Sequence, residues 1–151
     1  MNRRALVVAF VTSVLWAFAT GASAQEARDY INPRSASDAE AAPFSGAVKV
    51  GNTLYLSGTI GLDPGQQVPS TAEAEARNVL NNIQGTLEAA GMTMDDLVSV
   101  QIFCSDVAYY DAFNAVYRTY FSSEFPARAF LGSGTLLFGA RFEVQGIAVE
   151  R

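Results

Sequence analysis

Two residues are equipped for anion and proton chemistry at a spacing that would put them on separate strands. They are Arg128, in Pro126-Ala127-Arg128, and Glu143, fifteen residues later in the strand-like run 141–149. The chain has no histidine, one cysteine (Cys104) and one lysine (Lys49). Nucleophilic, metal-dependent and Schiff-base chemistry therefore have few residues to draw on. What remains is a guanidinium that can hold an anion, a carboxylate that can move a proton, and water. The competing role for the same pair is an ion pair between neighbouring strands.

The elements that must position this pair follow from periodicity and turn chemistry. Ala47–Val50 and Thr53–Ser57 alternate around Gly51-Asn52, which is a β-hairpin pattern. Leu62-Asp63-Pro64-Gly65 is a turn. Ser70-Thr71-Ala72-Glu73 has the form of a capping box. Beyond it Ala76, Val79, Leu80, Ile83 and Leu87 recur at helical spacing until Gly91. Leu97–Cys104 alternates as a strand, with Val98, Val100, Ile102 and Cys104 expected on one inward face and Cys104 serving as a small core residue. Asp106 is placed to cap a second helix whose Phe113, Val116, Tyr117, Tyr120 and Phe121 share a face. Residues 128–131 and 141–149 read as two further strands across a Gly-rich connection. The order β-β-α-β-α-β-β, with a hairpin at each end, predicts an α+β fold: one mixed sheet with two helices on one face. The other face, uncovered and apolar, calls for oligomerisation.

The totals bound the rest. A chain of 151 residues, half of them hydrophobic, supports one domain with a real core. Residues 1–24 combine a basic start (Arg3-Arg4), an apolar run and Ala22-Ser23-Ala24, the pattern of a signal peptide cleaved before Gln25. A periplasmic or secreted protein is expected, the choice between Sec and twin-arginine export being left open. Losing that segment removes two positive charges and moves the net charge from −5 to −7. An acidic body with scattered arginines argues against nucleic-acid binding. Residues 25–41 are polar and broken and read as a flexible mature N-terminus, leaving 42–151 as the folded domain.

The segments Pro43–Val48, Leu56–Ile60, Leu87–Gly91, Asn114–Tyr117, Pro126–Arg128 and Glu143–Val149, in this order, resemble the RidA (YjgF-type) family over the whole of residues 42–151. The resemblance implies a chorismate-mutase-like fold and a homotrimer with clefts between subunits. It implies hydrolysis of reactive 2-enamines and 2-imines, such as 2-aminoacrylate and 2-iminopropanoate, to 2-keto acids and ammonia, with neither metal nor cofactor. Arg128 matches the carboxylate anchor and Glu143 the water-handling residue. Ser57, Phe44, Asn114 and Thr59 match positions near the substrate. The chain departs from the family at Phe44, where many members carry tyrosine, at Thr59, and at Ala129–Ser133 after the Pro-Ala-Arg motif.

Two functions from different classes follow. One is an exported enamine/imine deaminase. The other is a trimeric module that binds a small carboxylate or keto acid without turning it over, motivated by Phe44 and the export signal. A ribonuclease role, attributed to some family members, fits poorly with the acidic charge and the missing histidine.

Overall fold

The computed structural model describes residues 27–32 and 43–151. The leader expected at 1–24 lies outside the described residues, as does the polar segment 25–41 apart from 27–32. Within that segment Arg28–Ile31 forms a short strand, β1, where composition alone suggests irregular chain. It pairs antiparallel with Ala47–Val50 (β2), from Arg28↔Val50 to Ile31↔Ala47. β2 turns through Gly51, at φ 58°, into Thr53–Ile60 (β3), completing the expected hairpin.

Helix α1 spans Ala72–Ala89 and is capped one residue later than the sequence pattern suggests. Thr71, in extended geometry, accepts the Ala74 N–H on Oγ1 at 3.1 Å. With the cap at Thr71, Glu73 falls at the second helical position, where it cannot close a capping box. Gly91, at φ 77°, lets the chain leave the helix. Leu97–Cys104 (β4) follows. Asp106 then accepts the Ala108 N–H at 2.9 Å and starts the turn leading into Tyr110–Tyr117 (α2). Ala127–Gly132 (β5) and Phe142–Val149 (β6) complete the chain.

One six-stranded sheet results, in the order β1-β2-β3-β6-β4-β5. The second terminal hairpin expected from the sequence does not form. β6 instead slots between β3 and β4, antiparallel to both, and β5 joins the far edge parallel to β4. Each helix therefore links parallel strands, which require a crossover connection. Both helices pack on one face. Val79, Leu80, Ile83 and Leu87 of α1, with Phe113 and Tyr117 of α2, cover Leu54, Val100, Ile102, Phe142 and Val144. Cys104 is fully buried among them, as expected, but Val98 is not. The β4 register shifts between Leu97 and Ser99, so Leu97 takes the buried position and Val98 turns outward.

Among the described residues of the single chain, nothing covers the opposite face. Tyr30, Val48 and Tyr55 lie in one cross-strand row on it, and Tyr30, Tyr55 and Leu131 are each about half exposed.

Candidate functional site

Glu143 stands on β6 between the buried Phe142 and Val144, so its side chain points to the open face of the sheet. It lines a cavity of about 970 Å³ at the ends of β3 and β6. Phe44, Ser57, Thr59, Leu137 and Phe138 contribute to the same wall. The β3–β6 ladder changes register between Leu56 and Thr59, and Gly58 sits in that irregularity. A methyl group at Gly58 would lie 2.2 Å from Glu143 Oε1. Gly58 has no left-handed φ; its bare Cα makes room for the carboxylate. Ser57 lines the cavity, but its hydroxyl donates to the Ser45 carbonyl at 2.7 Å, tying the Phe44–Ser45 segment to β3.

Helix α1 fixes both walls of this cavity. Asn82 donates to the Ile60 carbonyl at 2.9 Å, and Asn78 donates to the Gly61 carbonyl at 3.2 Å. Glu75 is fully buried, an unusual state for a carboxylate unless it is paired. Its oxygens accept the Arg141 N–H at 2.5 Å, the Phe142 N–H at 3.1 Å and the Arg141 guanidinium at 2.8 Å. That carboxylate holds Arg141 above its usual arginine range and pins the two residues immediately before Glu143.

Arg128 belongs to a different place. It is aligned with Val100 in the β4–β5 ladder and points to the helix-covered side. Its Nη1 donates to Asn114 Oδ1 on α2 at 2.6 Å, and its guanidinium lies 4.9 Å from the Tyr117 ring centroid. A second cavity of about 200 Å³ is lined by Asn114, Tyr117, Phe125, Pro126 and Arg128. Asn114, itself buried, accepts from Nη1 and the Tyr110 hydroxyl accepts from Nη2 at a longer 3.4 Å, and the remaining N–H groups of the fork can meet an anion. The Tyr117 hydroxyl is buried and finds no hydrogen-bond partner among the described residues. Burial pushes it up to about 12, with Arg128 pulling the other way.

Six sequence-derived site residues thus fall into two groups. Phe44, Ser57, Thr59 and Glu143 share the large cavity, and Arg128 and Asn114 share the small one. The structural ion pair between neighbouring strands is excluded: β4 separates β5 from β6, and the two side chains leave opposite faces of the sheet. Leu137, Phe138, Asn78, Asn82 and Glu75 were not singled out from the sequence. Glu75 had a readable sign, because it falls on the apolar stripe of Ala72, Ala76 and Val79. Among the described residues, no three His, Cys, Asp or Glu side chains converge to hold a metal ion.

The chain as a whole is similar to known proteins. The family model described as Endoribonuclease L-PSP matches residues 35–150. A protein of Capra hircus named 2-iminobutanoate/2-iminopropanoate deaminase is 42% identical over 110 residues, covering 72% of this chain and 80% of that one. The solved structure of the YjgF gene product from E. coli superposes with a TM-score of 0.72 at 30% identity, covering 82% of this chain and all of that one. The E. coli protein TdcF, solved with bound serine, superposes with a TM-score of 0.70 at 25% identity, over 74% of this chain and 91% of that one.

Proposed function

The chain belongs to the Endoribonuclease L-PSP (YjgF/RidA) family, and from that premise we propose that it hydrolyses 2-imino acids and their enamine tautomers to 2-keto acids and ammonia. The observation that carries this reading is a carboxylate, Glu143, held against Gly58 in a cavity roomy enough for a substrate. Relatives named as deaminases of 2-iminobutanoate and 2-iminopropanoate support it, as does a structural neighbour solved with a carboxylate-bearing amino acid.

In the proposed reaction, Arg128 grips the substrate carboxylate with the guanidinium N–H groups that Asn114 and Tyr110 leave free. Water adds to the C=N carbon while Glu143 takes a proton from it. Glu143 then returns that proton to the amino nitrogen of the tetrahedral adduct. As the adduct collapses, Glu143 accepts the proton of its hydroxyl group and passes it to the departing nitrogen, so that the C=O bond forms, the C–N bond breaks and ammonia leaves. An imine is already electrophilic, so positioning and one proton shuttle supply the catalysis.

Because Arg128 and Glu143 leave opposite faces of one sheet, a site using both takes them from two copies of the chain. The proposal therefore includes a homotrimer whose clefts lie between subunits, with the apolar open face around Tyr55 covered by a neighbour. A periplasmic or secreted location is part of the same proposal, and the leader-like sequence of residues 1–24 supports it. The second reading, a binding module without turnover, is favoured by Phe44, which leaves the Glu143 cavity without a phenol where many family members have one.

The test follows loss of freshly generated 2-iminopropanoate with and without protein. Acceleration over the spontaneous rate that disappears in Arg128→Ala establishes the deaminase. Ligand binding with no acceleration, from an assembled and folded protein, replaces it with the binding module.

A further inference from the structure

We infer that the site selects 2-imino acids with a large apolar side chain, aromatic or branched aliphatic, and that Leu137 and Phe138 are the residues that select them. This rests on the proposed reaction and extends it to a substrate class. Such a substrate has three parts to place: a carboxylate for Arg128, a reacting carbon for Glu143, and a side chain for whatever wall remains. The lining divides by chemistry: Asp63, Asn78 and Asn82 make the α1 side of the Glu143 cavity polar, and the side of residues 44 and 137–138 is apolar. Phe44, Leu137 and Phe138 line it, and they are 57%, 70% and 75% exposed in the single chain. The neighbouring copy that brings Arg128 closes part of this cavity, of about 970 Å³ in the single chain, so the assignment rests on which side chains face Glu143 and not on the volume.

The backbone beneath this wall supports the assignment. Phe138 is held at φ 58°, ψ 14°, a left-handed conformation that bulky residues rarely adopt, and Gly139 follows at φ 75°. An ordinary surface turn would place glycine or asparagine at the first of these positions. Here the strained position carries an exposed phenylalanine on the wall that Glu143 shares, where backbone strain commonly marks function. The turn is firmly based: Gly139 and Ala140 donate to the Leu136 and Leu137 carbonyls, and Glu75 fixes the next two N–H groups. Leu137 and Phe138 therefore present a preorganised apolar surface to the substituent of whatever carbon Glu143 serves.

The experiment titrates the assembled protein with two keto acids, phenylpyruvate and pyruvate, by calorimetry. The corresponding imines are assayed for turnover and the particle mass is checked by light scattering. Phenylpyruvate is expected to bind at least about tenfold tighter than pyruvate, and Leu137→Ala and Phe138→Ala each to reduce that preference by about tenfold. Both side chains are exposed, so neither replacement empties the core. A preference of this kind without imine turnover leaves the inference standing and removes the deaminase. Turnover of 2-iminopropanoate without a preference for phenylpyruvate, or with a preference both variants retain, overturns the inference and leaves the deaminase. Loss of the oligomer in the two variants also overturns it, by assigning Leu137 and Phe138 to the subunit interface.

Discussion

Replacing Gly58 with alanine should separate activity from stability. The new methyl would lie 2.2 Å from Glu143 Oε1 and 3.2 Å from its Cδ, while ordinary contact begins at 3.4 Å. The carboxylate must therefore retreat by about 1 Å, and a misplacement of that size costs on the order of a hundredfold in rate. A hundredfold corresponds to about 2.7 kcal/mol of transition-state stabilisation. The fold has little reason to suffer, because the displaced atoms end a flexible side chain and Gly58 has no left-handed φ that only glycine tolerates. Exchange of a strand glycine for alanine contributes about 0.5–1 kcal/mol in favour of folding where the backbone permits it. Gly61→Ala is the contrasting control. Its methyl would meet the Glu75 carbonyl oxygen at 2.3 Å and the Val79 nitrogen at 2.9 Å, both backbone atoms of α1. Helix and strand must then part, at a cost of about 1–3 kcal/mol. The assay pairs kcat/KM for imine hydrolysis with urea unfolding of both variants. Gly58→Ala retaining kcat/KM within about threefold of wild type, a difference under 1 kcal/mol, would refute the placement of Glu143 at the reacting centre.

Three further perturbations follow from the same geometry. Asn114→Ala frees the guanidinium of Arg128 and should raise KM about tenfold with a smaller change in kcat; steady-state kinetics with an unchanged KM would contradict the holding role. Tyr117→Phe removes a buried hydroxyl that has no partner among the described residues, so unfolding at pH 7 should show it neutral or stabilised by up to about 1 kcal/mol. In alkali the unfolded phenol ionises near 10 while the folded one stays protonated to about 12. Wild type should therefore lose stability between those values, and Tyr117→Phe should lose less when unfolding at pH 9 and pH 11 is compared. Cys104, fully buried with its thiol pushed up by burial, should react with a thiol reagent only as fast as the protein opens, and rapid labelling of the native state would contradict its core placement.

What could be read in the residues was local. The alternation around Gly51 and the 3.6-residue period of Val79, Leu80, Ile83 and Leu87 each define an element by themselves. Pairing is not local: nothing in Phe142–Val149 says that it inserts between β3 and β4 rather than folding back on β5. That choice buries Val144 and Phe142 beneath both helices, a property of the whole sheet. Val98 failed for a related reason, since one bulged residue reverses the alternation on which the inward face was assigned. At the site, Arg128 and Glu143 were legible as residue types, and the opposite faces they occupy were not. Gly58 makes room for the side chain of Glu143, a residue far along the chain, and no local pattern carries that relation. Leu137 and Phe138 resembled loop filler until the cavity placed them beside Glu143.

The central claim is that one working site takes Arg128 from one copy and Glu143 from another. Arg128→Ala and Glu143→Gln proteins should each be inactive as pure oligomers. Unfolding them together in equal amounts and refolding the mixture should restore about a quarter of wild-type activity, because a quarter of the inter-subunit sites then combine an intact arginine with an intact glutamate. Mixtures that refold into assemblies of native mass and remain inactive would contradict the shared site.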